Sequence, residues 1–409
     1  MKKIFAVALG VLTAIGGFVD IGDIVTNGLV GSRFGMSLAW VVVLGVGGIC
    51  VFAHMSGKVA AVSGRATFEI IRERLGPRMA LANLGASFFI NLLTVIAEIG
   101  GVALALQLAS SVTYLAWVPV AALAAWLVIW RVKFAILENV TGLLGLAMIV
   151  FAVALFQLKP EWPVLGQQVL QQGALSTDGL TTYFYYAIAL FGAAMTPYEV
   201  FFFSSGAIEE GWTAKDLNQS RVNVLIGFPL GGLLSLAIAA CAAVVLRPQS
   251  IDVSSLSQVA LPVGQAGGKI ALAVVIVGFV AATFGATLET TLSSGYTLAQ
   301  FFGWPWGKFR RPSQAARFHL IMIICLVIGI GILMTGVDPV AVTEYSVVFS
   351  AVALPLTYLP ILIVASDPEY MGRHVNGRAI SVAGMFYLVI ILVVSVAAIP
   401  LMIITGGGQ

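Results

Sequence analysis

The sequence predicts an all-α polytopic membrane protein, and three observations support this fold class. Of the 409 residues, 60% are hydrophobic and only 10% are charged, whereas about 25% of residues are charged in soluble proteins. The mean hydropathy is +1.02. Apolar runs of about 20 residues, the length that crosses a bilayer, follow one another along the chain. The net charge of +3 does not indicate a nucleic-acid partner, and the expected surroundings are a lipid bilayer.

Eleven membrane spans are predicted, each bounded by polar or glycine-rich connections. In chain order they lie at 4–31, 37–62, 80–110, 112–130, 135–157, 181–205, 220–246, 268–302, 316–336, 342–365 and 380–405. We expect residues 1–157 and 158–365 to form two five-helix repeats. Residues 366–409 then hold a cytoplasmic loop and the eleventh span. The longest connection, 157–180, is interpreted as a polar loop.

The distribution of Lys and Arg predicts the orientation of the chain. With the N-terminus in the cytoplasm, 17 of the 21 Lys and Arg residues fall on the inner side. The four outer ones are Arg33, Lys159, Arg247 and Lys269. Cytoplasmic loops carry the excess of Lys and Arg in membrane proteins. We therefore expect a prokaryotic inner-membrane protein whose C-terminus lies outside.

The segment Gly16–Asp23 interrupts span 1. It places three glycines and two carboxylates, Asp20 and Asp23, inside an apolar run. A charge at the bilayer centre costs roughly 2.5–3.5 kcal/mol on insertion scales, and glycine allows the backbone to leave the helix. The pattern favours a broken helix that exposes carbonyl groups for a cation. The alternative is a polar patch between packed helices.

Span 6 contains a second interruption, Gly192–Glu199, which places Pro197 and Glu199 near the middle of the span. Proline removes a helical N–H and clashes with the carbonyl one turn back. Spans 1 and 6 are the first members of the two predicted repeats. Breaks at corresponding positions of two repeats indicate the substrate site of an inverted-repeat transporter. An ordinary kink at Pro197 is the alternative interpretation.

Glu98 in span 3 and Glu289 in span 8 are further intramembrane acids, and no Lys or Arg lies at mid-depth to neutralise them. Such acids bind a cation or take up a proton. An interior with only oxygen ligands favours a hard cation. For Glu98 and Glu289, a protonated structural role is equally compatible with the sequence.

These motifs resemble those of the NRAMP family of divalent-metal transporters. Asp20-Ile21-Gly22-Asp23 is similar to the family's span-1 signature D-P-G-N, and Ala193–Tyr198 to its span-6 signature. Further similarities, in the same order, are Val62–Arg65, Ile71–Arg74, Ala97–Gly100, Leu354-Pro355, Leu359-Pro360, Ser366-Asp367, Met371-Gly372 and Val375-Asn376. The resemblance implies the LeuT-type fold, a 5+5 inverted repeat with broken helices 1 and 6 and the ion held between them.

Carried over residue by residue, the resemblance implies metal ligands at Asp20, Asp23, Ala193 and Thr196. The family has Asn at the position of Asp23 and Met at that of Thr196. Residues with an expected second-shell or ion-path role are Gly22, Glu98, Met195, Tyr198, Glu199 and Glu289. Met195 lies one position before the family's methionine, about 100° further round a helix.

The proton-carrying residues of the family are also changed. Tyr198 and Phe203 stand in place of histidines, and Val95 in place of an aspartate. These changes resemble the NRAMP-related magnesium transporters, a branch that moves Mg²⁺ without proton coupling. We therefore expect a secondary transporter that works by alternating access. Its cargo would be Mg²⁺, partly hydrated and with some Mn²⁺ also carried. The metal would be a substrate, with no cofactor.

Three alternatives stay open from the sequence. A proton-coupled Mn²⁺ or Fe²⁺ carrier lacks its thioether ligand here, and a cation-coupled amino-acid symporter would repel a substrate carboxylate at span 1. An intramembrane aspartyl protease needs G-x-G-D, but Asp20 occupies the first glycine position and no partner Asp is found. The sequence does not indicate an oligomeric state.

Overall fold

The computed structural model describes residues 18–132, 134–170, 175–308 and 310–408, and within these ranges all regular structure is helical. We keep the span numbers introduced above. The span helices are Ile21–Phe34 (span 1), Ala39–Ser63 (2), Thr67–Ser110 (3), Tyr114–Arg131 (4), Phe134–Gly145 with Val150–Gln157 (5), Leu175–Ala194 with Pro197–Glu209 (6), Leu217–Val245 (7), Leu256–Phe302 (8), Ala316–Leu333 (9), Pro339–Ala365 (10) and Arg378–Ile404 (11).

Spans 2–4 and 6–11 are confirmed as helices long and apolar enough to cross a membrane, which makes nine within the described ranges. Span 5 is helical but contains a 3₁₀ turn at Leu146–Ile149. A tenth candidate is the pair Gly142–Gln157 and Trp162–Leu170, bent by 110°. Of span 1 only the second half is described, because residues 1–17 lie outside the described ranges.

Three connections differ from the predicted loops. The segment between spans 5 and 6 contains a helix, Trp162–Leu170, whose Leu165 is buried. The helices of spans 3 and 8 begin 13 and 12 residues before the predicted spans and turn sharply at Gly76 and Gly268, where φ is +77° and +64°. Only glycine adopts this left-handed backbone without strain, so each glycine separates the long membrane helix from a shorter helix that precedes it.

Span 6 lies at the centre of the bundle and span 11 at its edge. In the most apolar window of span 6, 89% of residues are buried, against 17% in span 11. The exposed residues of span 11 are large and apolar, among them Val382, Val393 and Val396. A helix that is apolar all round and exposed on one side fits contact with lipid. The broken helix is therefore enclosed by protein.

The two ends of the bundle carry separate polar clusters. At one end, Arg33 forms an ion pair with Asp252 and donates a hydrogen bond of 2.6 Å to the Gly408 carbonyl. At the other end, Arg74 pairs with Asp367, and Lys58 donates to Asn376. Each cluster gathers residues that the orientation argument assigns to one side of the membrane. Which cluster faces the cytoplasm stays a prediction, as do the positions of both termini and the domain boundaries.

Candidate functional site

Asp20 forms the N-cap of the span-1 helix. Its Oδ1 accepts a hydrogen bond of 2.8 Å from the Asp23 N–H, and its backbone is extended at φ −106°. Aspartate is a strong N-cap because its carboxylate satisfies a free N–H and faces the positive end of the helix dipole. The other oxygen, Oδ2, accepts a hydrogen bond of 3.3 Å from the Tyr198 hydroxyl. Asp20 thus joins the break in span 1 to span 6.

Glu98 supports the same break from span 3. Its Oε1 and Oε2 lie 3.2 and 3.4 Å from the Ile21 N–H, which donates to them. The Ile21 N–H is a free donor at the start of the helix, and in a buried position such a group needs an acceptor. The structure therefore gives Glu98 a positioning role at the break.

Asp23 is held by two neighbours. Its Oδ1 accepts from the Asn27 amide at 2.8 Å, and its Oδ2 accepts from the hydroxyl of Ser235 on span 7. Asn27 lies one turn further along the same helix, so the two side chains share a face. A carboxylate has about four acceptor positions, which leaves capacity for a cation or its water.

The span-6 break lies at Met195 and Thr196, between the helices that end at Ala194 and begin at Pro197. Pro197 has no N–H to give to the carbonyl of Ala193 four residues earlier, so that carbonyl loses its helical donor. Thr196 is extended at ψ 127°, and it is partly exposed between buried neighbours. Its carbonyl accepts from the Tyr358 hydroxyl of span 10 at 3.5 Å.

Met195 packs against span 2. A Cβ atom at Gly48 would lie 2.6 Å from the Met195 sulfur and 2.9 Å from its terminal methyl group. Glycine at position 48 is therefore what makes room for the thioether. This contact places the sulfur in an apolar interface between spans 2 and 6.

Two glycines bring both breaks against one residue of span 10. A Cβ at Gly22 would lie 2.8 Å from Val347 Cγ1 and 3.1 Å from Asp20 Oδ1, and a Cβ at Gly192 would lie 2.3 Å from the Val347 carbonyl oxygen. Distances below 3.0 Å require something to shift. Gly22 and Gly192 thus permit the close approach of spans 1, 6 and 10.

Glu199 and Glu289 are both buried, at 4% and 3% exposure. Glu199 interacts electrostatically with Asp20, and Glu289 with Glu98. Within the described residues, no three His, Cys, Asp or Glu side chains are spaced closely enough to bind one metal ion. A cation here would need carbonyl, hydroxyl or water ligands in addition to carboxylates.

Four residues around the breaks did not emerge from the sequence: Asn27, Ser235, Val347 and Tyr358. Asn27 was detectable, because it lies four residues after Asp23 inside an apolar run. Ser235, Val347 and Tyr358 reach the site through contacts between distant spans, for which the local pattern carries no signal.

Comparison with known proteins confirms the predicted family. Residues 10–400 match the family described as Natural resistance-associated macrophage protein-like. A protein of Pectobacterium carotovorum, named divalent metal cation transporter MntH, is 27% identical over 388 residues, covering 93% of this chain and 90% of that protein. The MntH of Bacillus subtilis is 22% identical over 388 residues, covering 93% and 88%.

Solved structures show the same fold. A glutamate-to-alanine variant of the Eremococcus coleocola manganese transporter matches with a TM-score of 0.81 at 18% identity, covering 98% of this chain and 87% of that one. Mhp1, a nucleobase-cation-symport-1 family transporter, matches with a TM-score of 0.61 at 16% identity, covering 96% and 91%. The predicted LeuT-type fold is confirmed. The chain therefore belongs to the NRAMP family of membrane metal-ion transporters, in which the metal is the transported substrate, and it is not an enzyme.

Proposed function

We propose that this NRAMP-family chain transports divalent metal cations by alternating access, with Mg²⁺ as the preferred ion and without obligatory proton coupling. The ion would bind between the two helix breaks. Asp20 and Asp23 would supply carboxylates, Ala193 a carbonyl and Thr196 a hydroxyl, with water completing the shell.

One observation supports this ion preference above the others: oxygen atoms surround the two breaks, while the Met195 sulfur packs against Gly48 of span 2. Thioethers select soft metals, whereas carboxylate, carbonyl and water ligands suit Mg²⁺, Ca²⁺ and Mn²⁺. Mg²⁺ loses water reluctantly and is usually held by one or two carboxylates together with retained water. The absence of a three-residue metal cluster in the described chain agrees with a hydrated ion.

The missing proton route is supported by the surroundings of Phe203 and Val95. Phe203 packs against Gly57 and lies 5.5 Å from the Trp212 ring, and Val95 is fully buried in an apolar cluster. No titratable group occupies either position. Histidine is the side chain that ordinarily titrates near neutral pH, and neither break carries one.

A proton-coupled manganese carrier is the second candidate, because the matching Eremococcus coleocola structures are described as manganese transporters. Glu98 and Glu289 would then have to carry the proton.

Transport assays on the reconstituted protein distinguish the magnesium proposal from the manganese one. Liposomes would be loaded with ion-sensitive dyes and exposed to Mg²⁺, Mn²⁺ and Ca²⁺ while internal pH is recorded. We expect Mg²⁺ uptake, slower Mn²⁺ uptake, little Ca²⁺ uptake and no metal-dependent acidification. Mn²⁺ uptake with acidification and without Mg²⁺ uptake would reject the magnesium proposal.

A further inference from the structure

The segment Thr196–Glu199 has the sequence of a helix capping box. In that motif the first residue, Ser or Thr, caps the helix with its hydroxyl, and the Glu or Gln three positions later returns to the first residue's N–H. Thr196-Pro197-Tyr198-Glu199 fits the pattern. The Thr hydroxyl and the Glu carboxylate would normally be satisfied by the helix itself.

The structure has neither bond. Thr196 makes no side-chain capping hydrogen bond. Glu199 Oε2 is buried without a hydrogen-bond partner, and no hydrogen bond or ion pair of this carboxylate is found in the described part of the chain. Another helix of the same protein shows the contrast. At the start of span 8, Ser255 and Gln258 form a complete capping box. Ser255 and Gln258 thus use the groups that Thr196 and Glu199 leave unused at the span-6 break.

The surroundings of Glu199 place it at the wall of the site. It is the third residue of a 13-residue helix, where the helix dipole favours an anion. The Asp20 carboxylate interacts electrostatically with Glu199. Glu199 in turn interacts electrostatically with the Tyr358 hydroxyl. Tyr358 in turn donates to the Thr196 carbonyl. A buried carboxylate needs a partner, since leaving one unpaired is costly.

We infer that Glu199 is a further cation-binding residue, which accepts hydrogen bonds from the water ligands of a divalent cation bound at Asp20. The contact runs through water because Asp20, Asp23 and Glu199 do not form a cluster that holds one bare ion. The Thr196 hydroxyl, also left unused by the helix, faces the same hydrated ion. This inference rests on the proposed function and adds a carboxylate beyond the four expected ligands.

The test is Glu199→Gln, with Mg²⁺ affinity measured by calorimetry on purified protein. Glutamine keeps the size and still fits a capping box, so a purely structural role predicts unchanged affinity. We expect about a tenfold weaker Mg²⁺ affinity, because the charge of the ligand set tunes affinity for such ions. Glu210→Gln is the matched control, since Glu210 is exposed and is the C-cap residue of the same helix; this variant should bind Mg²⁺ as the wild type does.

The outcomes separate this inference from the proposed function. Wild-type affinity in Glu199→Gln, together with lost binding in Asp20→Asn, would overturn the role of Glu199 and leave the site at Asp20. Absence of Mg²⁺ and Mn²⁺ binding in the wild type would overturn the proposed function itself.

A second measurement uses the unmodified protein and does not depend on a variant that folds. Carbodiimide labelling of carboxyl groups, followed by mass spectrometry, would be compared with and without Mg²⁺. We expect Mg²⁺ to protect Glu199 and Asp20 together. Protection of Asp20 alone, or a Glu199 that is unlabelled even without Mg²⁺, would contradict the inference.

Discussion

The Tyr198 hydroxyl donates a hydrogen bond of 3.3 Å to Asp20 Oδ2, which links the two broken helices directly. The NRAMP pattern places a histidine where this tyrosine stands. Histidine ordinarily titrates near pH 6.5, whereas a tyrosine hydroxyl does so near pH 10. Tyr198 thus keeps a hydrogen-bond donor at Asp20 but offers no group that ordinarily exchanges a proton at neutral pH.

The first prediction concerns proton movement. Metal uptake into liposomes should produce no internal acidification above the leak of metal-free vesicles, because Tyr198 contacts Asp20 where the family has a histidine, and neither break contains a histidine. A pH-sensitive dye inside the vesicles measures this. A fixed proton-to-metal ratio would show that transport is coupled to protons and that the uncoupled mechanism is wrong.

Asp20 should be indispensable for transport because of its charge. Asp20→Ala removes both the charge and the helix cap, and loss of a cap costs about 0.5–2 kcal/mol of stability. Asp20→Asn keeps a good N-cap residue and removes only the charge. We expect both variants to lose divalent-metal flux, with Asp20→Asn near wild type in melting temperature. Normal flux in Asp20→Asn would exclude this carboxylate as a ligand.

Asp23 should be less sensitive than Asp20. In Asp23→Asn, the amide oxygen still accepts from Asn27, and the amide nitrogen donates to the Ser235 hydroxyl, so both observed contacts remain possible. We expect partial flux and little loss of stability. Ser235→Ala, by contrast, leaves a buried carboxylate oxygen without its donor and should cost about 1–3 kcal/mol. Thermal unfolding in detergent compares the stability of the two variants. A larger loss of stability in Asp23→Asn than in Ser235→Ala would contradict the prediction.

Thr196→Met should change the ion preference. The larger thioether displaces water from the partly exposed position and adds a soft ligand. We expect lower Mg²⁺ flux and tighter Cd²⁺ and Mn²⁺ binding, measured by flux and calorimetry on the same preparation. Thr196→Val is the control, because it removes the hydroxyl at nearly constant size. Tight Cd²⁺ binding in the wild type, without Mg²⁺ flux, would instead make Met195 the ligand to test.

The Asp367 contact outside the membrane should depend on pH. The Glu369 N–H, and then Arg74, hold the pKa of Asp367 below its ordinary value. The resulting stability is therefore present above the unfolded pKa of about 4 and is lost as pH falls through the lower folded pKa. Arg74→Ala should weaken this acid dependence without removing it, because the Glu369 N–H remains. Melting temperatures measured from pH 7 down to acidic pH report this loss of stability, and Arg78→Ala, at an exposed position, is the control. Identical pH profiles for Arg74→Ala and wild type would contradict the prediction.

The sequence was sufficient to predict features that depend on the residues of a single segment. The breaks at Asp20 and Thr196 follow from glycine, proline and carboxylates inside apolar runs. It was insufficient where the partner comes from another span, as with Ser235 for Asp23. The helix Trp162–Leu170 was also missed, because its glutamines and proline are typical of a loop.

The unused capping box shows a different limit. The letters Thr196 to Glu199 predict two local hydrogen bonds, and the same reasoning succeeds at Ser255 and Gln258. Whether a helix uses such groups depends on the competing interactions around it, here a buried break shared with Asp20 and Tyr358. The sequence therefore shows that the groups are present but not what they bind.

The contacts of Val347 with both helix breaks have a mechanical consequence. Gly22 and Gly192 bring spans 1 and 6 against this one residue of span 10. A packed interface of this kind shifts between discrete arrangements rather than deforming smoothly. Because Val347 packs against both breaks, a tilt of span 10 away from one break would change its packing against the other. We therefore expect the helices of spans 1 and 6 to move together.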